Sequence, residues 1–76
     1  MNDKRRKSIR TAIEHLNRAS VIIDQVSDEE SDALDNIPEN LQDSDRYVAM
    51  EDAIESLSDA DEAVSDAIEK LEQSIR

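Results

Sequence analysis

Four consecutive heptads run from Met50 to Arg76: MEDAIES, LSDADEA, VSDAIEK and LEQSIR, the last one residue short. Met50, Leu57, Val64 and Leu71 stand seven apart; Ala53, Ala60, Ala67 and Ser74 follow them at +3, and Ile54, Asp61, Ile68 and Ile75 at +4. These are the a, d and e positions of an α-helix with a widened apolar face. Tyr47 carries the e line one step further back. The first part of the chain repeats the scheme, with Ile9, Leu16 and Ile23 at a, Ala12, Ala19 and Val26 at +3, and Ile13 at +4. A composition of 38% charged and 1% aromatic residues looks like that of a solvated, disordered chain. The periodicity decides against disorder and for two helices with matched registers.

Alanine at most d positions lets facing backbones approach toward the short end of the usual ~8–10 Å range. It also withholds the bulk that leucine supplies at d in a parallel zipper. The expected fold is therefore all-α: an antiparallel helical hairpin with a/d/e packing, assembling into a four-helix bundle or a higher oligomer. Pro38 disfavours helical geometry at Ile37 and suits the first position of a new turn. Ala33, Leu34 and Ile37 keep helical spacing up to it. One domain over residues 1–76 follows, with helix 1 at about 4–35, a turn at 36–43 and helix 2 at about 44–75, capped by Asp43 or Ser44. Each helix then measures roughly 45 Å at 1.5 Å per residue. With the loop centred near Asn40, facing positions sum to about 80. Ile23 then meets Leu57, Leu16 meets Val64, and Ile9 meets Leu71. A lone hairpin leaves the e line, Tyr47, Ile54, Ile68 and Ile75, half exposed, and this line is the expected oligomer interface.

At 76 residues the chain buries a thin core at best. It has no cysteine, hence no disulfide framework and no thiolate metal site, a composition suited to a reducing cytoplasm. The longest purely apolar run is Val21-Ile22-Ile23, far short of a membrane span or a signal-peptide core, so no membrane role is expected. The absence of glycine excludes every phosphate-cradling loop motif. Twenty acidic and nine basic residues give a net charge of −11, unevenly spread. Residues 1–18 hold six cations against two carboxylates, and residues 19–76 hold three against eighteen. Such a field repels nucleic acid over most of the surface, so direct DNA binding is not expected.

The central stretch carries an Asp-Glu-Glu run at Asp28 to Glu30, Asn36 to Gln42 at the connection, and Ser44 to Arg46 as a cap; a basic first turn, Lys4 to Lys7, precedes it. In these elements the chain resembles short, acidic, largely uncharacterised proteins of phages and prophages of Gram-positive bacteria. Those share an Asn-Leu-Pro-Glu-x-Leu-Gln-type connection and a Ser-Glu-Arg-type cap, from which Ile37 and Asp45 depart. The resemblance implies an accessory protein of a mobile element and carries no catalytic residues with it.

Catalytic and metal chemistry find little support. His15 is the single histidine, and Ala12 occupies the place where a di-iron bundle motif needs Glu. One histidine without cysteine does not make an ordinary zinc site. Asp43-Ser44-Asp45 resembles the start of a calcium loop, but Val48 replaces its glycine and Ile54 its bidentate glutamate. Ser8 and Thr11 lie near His15 with no orienting carboxylate or oxyanion hole. No enzyme, metal or cofactor is expected.

The expected function is that of a binding protein that sequesters or regulates a host macromolecule, a host protein above all, through acidic helical faces. Glu51, Asp52, Glu55, Asp59, Glu62, Asp66 and Glu69 line one rod and suggest DNA mimicry. The alternative is an oligomeric sponge for a nucleotide or cyclic oligonucleotide, held by Lys4, Arg5, Arg6, Lys7 and Arg10, or by Arg46 and Tyr47. A structural spacer is the third reading. The cations in the first turn oppose the helix macrodipole, unless Glu69 and Glu72 lie alongside and compensate. Asp61 stands where its own repeat has isoleucine, and the facing rule places it near Arg18 or His15 as a determinant of register or partner.

Overall fold

The computed structural model covers all 76 residues and contains two long helices packed as an antiparallel hairpin, α1 (Asp3–Asp35) and α2 (Asp45–Ser74), joined through a single 3-10 turn at Glu39–Leu41. No strand is present. The hairpin is a rod of 59 × 14 × 14 Å.

The helix ends follow from local chemistry. Asn2 caps α1, its Oδ1 accepting from the Arg5 N–H at 2.8 Å, a cap that the first-turn cations obscure in the sequence. Asn36 closes α1, its N–H donating to the carbonyls of Asp32 and Ala33 at 3.2 and 3.3 Å. Pro38 then leaves the helical region with ψ 145°. The Leu41 N–H donates to the Pro38 carbonyl at 2.9 Å, and the Ser44 N–H to the Leu41 carbonyl at 3.1 Å. Ser44 caps α2, its Oγ accepting from the Tyr47 N–H at 3.2 Å. The whole reversal is made without a single residue at positive φ, as a chain without glycine must make it.

The seam departs in one respect from the heptad reading. Val26, expected inside at d, is exposed at 42%, and Ala60 and Ser74 are exposed too, whereas Ser27, Asp61 and Ile75 on the e lines are half-buried. A straight α-helix drifts about 20° per heptad against a strict seven-residue repeat. Ala12, Ala19, Ala53 and Ala67 stay half-buried at d as expected, so d is turned out of the seam at Val26, Ala60 and Ser74 while the e lines stay in it. The hairpin is thus held by a and e residues: Ile9, Ile13, Leu16, Ile23 and Leu34 against Tyr47, Met50, Ile54, Leu57, Val64, Ile68 and Leu71. Two helices in a single layer enclose little, and Met50 alone is buried, at 9% exposure.

Candidate functional site

Four regions hold the side chains that the sequence singles out. The open end of the rod carries the basic segment. Lys4, Arg5, Lys7 and Arg10 are exposed, and Arg6 is half-buried. Arg6 pairs with Asp3 one turn earlier, at 3.6 Å, and this is the only ion pair in the structure. Glu69 and Glu72 of α2 therefore form no ion pair with the basic turn, although the fold brings both segments to the same end.

The middle of the rod holds the polar contacts between the helices. The Ser20 hydroxyl donates to Asp61 Oδ1 at 2.8 Å. The numbers of the two residues sum to 81, so the level of Asp61 on the rod is as the facing rule has it. Its neighbours are not. Asp61 meets Ser20 and Asp24 rather than Arg18 or His15. The rule sets height along the rod and says nothing of side: at about 100° per residue, His15 projects from α1 on the flank away from Asp24, and Arg18 projects outward from the back of the helix. The hydrogen bond with Asp61 raises the Asp24 carboxyl above the usual aspartate value of 3.8; partial desolvation and the charges of Asp61 and Asp28 act in the same direction. The two carboxylates thus meet across the seam, and the contact favours the protonated form of Asp24.

The tip of the rod contains a cavity of about 400 Å3 lined by Ile37, Pro38, Leu41, Asn36, Ser44 and Arg46, with Ala33 at its α1 side. Arg46 is the one cation of residues 19–61 and makes no ion pair. Tyr47, next to it in sequence, is half-buried instead. With Ile54, Ile68 and Ile75 it belongs to the e line of the α1–α2 seam. The structure keeps Arg46 and Tyr47 apart from Lys4 to Arg10, at the opposite end of a 59 Å rod.

Along the outside of α2, Glu51, Asp52, Glu55, Asp59, Glu62, Asp66 and Glu69 are all exposed and free of ion pairs. From Glu51 to Glu69 the row extends about 27 Å at 1.5 Å per residue. No group of three or more histidine, cysteine, aspartate or glutamate side chains is disposed to hold a metal ion. No helix is long and apolar enough to cross a membrane. No family model, no curated protein and no solved structure matches the chain.

Proposed function

We propose that this chain is a non-enzymatic binding protein whose α2 carboxylate row docks on a basic macromolecular surface and thereby sequesters or regulates a host protein. The observation that carries this reading is the unpaired row itself, seven exposed carboxylates on a rigid helix with no cation of the same chain within ion-pair distance. Spread over about 27 Å, they give roughly one charge per 4 Å, close to the ~3.4 Å between phosphates along one DNA strand. The partner class is accordingly a protein whose basic groove takes DNA. The resemblance to phage and prophage accessory proteins supports the same reading, since such elements gain by occupying host machinery.

Capture from a Gram-positive host lysate, read by mass spectrometry, tests it. The chain should retain a stoichiometric partner that duplex DNA displaces and that elutes with salt. Replacing Glu51, Glu55, Glu62 and Glu69 with Gln should abolish retention while circular dichroism stays helical. Retention that survives those four substitutions overturns the proposal. Retention that depends on them but resists DNA overturns mimicry alone.

The cavity beside Arg46 favours a second reading, a nucleotide sponge, because it sets a free guanidinium and the polar groups of Asn36 and Ser44 beside an apolar wall. Melting shifts with nucleotides and cyclic oligonucleotides, lost in Arg46→Gln, separate it from the first.

A further inference from the structure

The hydrogen-bonded carboxylates mark one flank of the hairpin. Asp24 and Asp61 meet there, so the residues that project the other way from the seam make a second flank. At about 100° per residue, Val26 projects some 160° from Asp24, and Ala60 some 100° from Asp61. His15, Ile22 and Val26 on α1 and Ala49, Ala60 and Ala63 on α2 form this second flank, and all six are exposed. Ile22 at 59% and Val26 at 42% are two exposed aliphatic side chains that share this flank, whereas Val21 at 67% and Val48 at 48% project away from it. The six residues of the flank are uncharged side chains or histidine, while Asp52 and Lys70 border it on α2 and Asp45 lies near its tip. Lys4 stands at its open end and Glu30 near its tip.

We propose that a second copy of this chain docks on the flank of His15, Ile22, Val26, Ala49, Ala60 and Ala63, antiparallel to the first, to make a four-helix bundle.

Three observations choose this occupant. The first is area: a face 59 Å long and 14 Å across matches the ~800 Å2 per partner of a standard interface. The second is the repulsion between two chains of net charge −11, which is reduced where they touch through the face poorest in carboxylates. The third is charge complementarity along the rod. The Ser20–Asp61 contact divides the hairpin near the middle of both helices. The open half, residues 1–18 and 62–76, holds eight cations and six carboxylates, a net charge of +2. The tip half, residues 19–61, holds fourteen carboxylates and one arginine, a net charge of −13. Antiparallel copies lay each open half over the other's tip half, whereas parallel copies superpose the two tips. A two-fold axis at the Ser20–Asp61 level stacks α1 on the second copy's α1 and α2 on its α2. Lys70 then stands level with the second copy's Asp52. The short side chains at Ala49, Ala60 and Ala63 permit the close approach of the two α2 helices.

The absence of cysteine makes the arrangement directly readable. Light scattering at micromolar concentration should give twice the chain mass of 8.6 kDa. Ala60→Cys, near the axis, should crosslink to its own counterpart on mild oxidation, while Val48→Cys, on the outer side of α2, should not. Neutralising Lys4, Arg5 and Lys7 with Gln should weaken association at least tenfold and reduce its dependence on salt. The pair Ile22→Glu and Val26→Glu, at positions exposed in the single hairpin, should halve the mass, or lower helicity in a concentration-dependent way if the hairpin folds only as a dimer. A particle of single-chain mass with intact helices overturns the proposal, as does any assembly larger than a dimer. An unchanged mass in the variant that combines Ile22→Glu with Val26→Glu places the interface elsewhere and overturns it. Tighter association on neutralising the basic turn, or a dimer in which Ala60→Cys fails to crosslink, overturns the antiparallel arrangement.

Discussion

Replacing Asp61 with isoleucine restores the residue type found one heptad before and after it, and the structure predicts that the hairpin gains stability. Asp61 is half-buried in line with Ile54 and Ile68, where an aliphatic side chain has apolar neighbours. Full burial of isoleucine contributes about 1.5–3 kcal/mol, so half-burial contributes about 1–1.5. The substitution removes the Ser20 hydrogen bond, a loss of about 0.5–1.5 kcal/mol. The loss lies at the low end, because a helical serine can turn its hydroxyl to the carbonyl four residues earlier, as Ser8 does toward Lys4 at 3.2 Å. Relief of the Asp24–Asp61 opposition adds in the stabilising direction. The net gain is about 1 kcal/mol, or about 4–8 °C in Tm for a domain of this size. Thermal melts followed by circular dichroism at pH 7 and one fixed protein concentration measure it. Asp61→Asn serves as the companion, since it keeps an acceptor for Ser20, removes the charge and adds no apolar surface; its gain should be smaller. A Tm for Asp61→Ile that is unchanged or lower refutes the reasoning, and equal gains for the two variants refute the burial part.

Asp24→Asn should melt above the wild type at pH 7. The raised pKa means that the folded chain binds the Asp24 proton more tightly than the unfolded chain. The wild-type hairpin therefore gains stability as pH falls through that raised value toward 3.8, and the variant's advantage should vanish over the same interval. Ser44→Ala removes the acceptor of the Tyr47 N–H and should lower stability by about 1 kcal/mol in thermal melts; Asn2→Ala, at a terminus free to fray, should cost less. Met50→Ala empties the one buried position and should cost about 2 kcal/mol by urea denaturation, near the lower bound for such truncations. A loss far below that would mean that α1 and α2 do not meet at Met50.

The hairpin, its connection and the Ser44 cap are legible in the sequence because each rests on short-range chemistry: a seven-residue repeat, a proline, a serine ahead of a helical run. The loss of d positions from the seam is less legible. Heptad counting assumes a strict seven-residue repeat, which an α-helix of 3.6 residues per turn does not keep, and Val26 is the residue on which the assumption fails. The facing rule places Asp61 opposite Ser20 in height, but only angular position separates Asp24 from Arg18. The exposed flank of Ile22 and Val26 escapes notice for the same reason, since a linear pattern assigns Val26 to the interior. The cavity beside Arg46 arises from the path of the loop between Ile37 and Ser44, and no local pattern records that path.

A reversal made wholly at negative φ has a consequence for how the protein can change. Where a turn depends on a left-handed residue, one position is reserved for glycine or asparagine, and mutation there deforms the backbone. No position between Asn36 and Ser44 is reserved in that way. A chain without glycine also enters folding with fewer accessible backbone states to give up, which partly offsets its thin core. Substitutions at Glu39, Asn40, Gln42 or Asp43, all exposed, alter what the tip displays and leave its route intact. The end of the rod is in this sense an evolvable surface, able to vary its side chains while Pro38 and Ser44 keep its course.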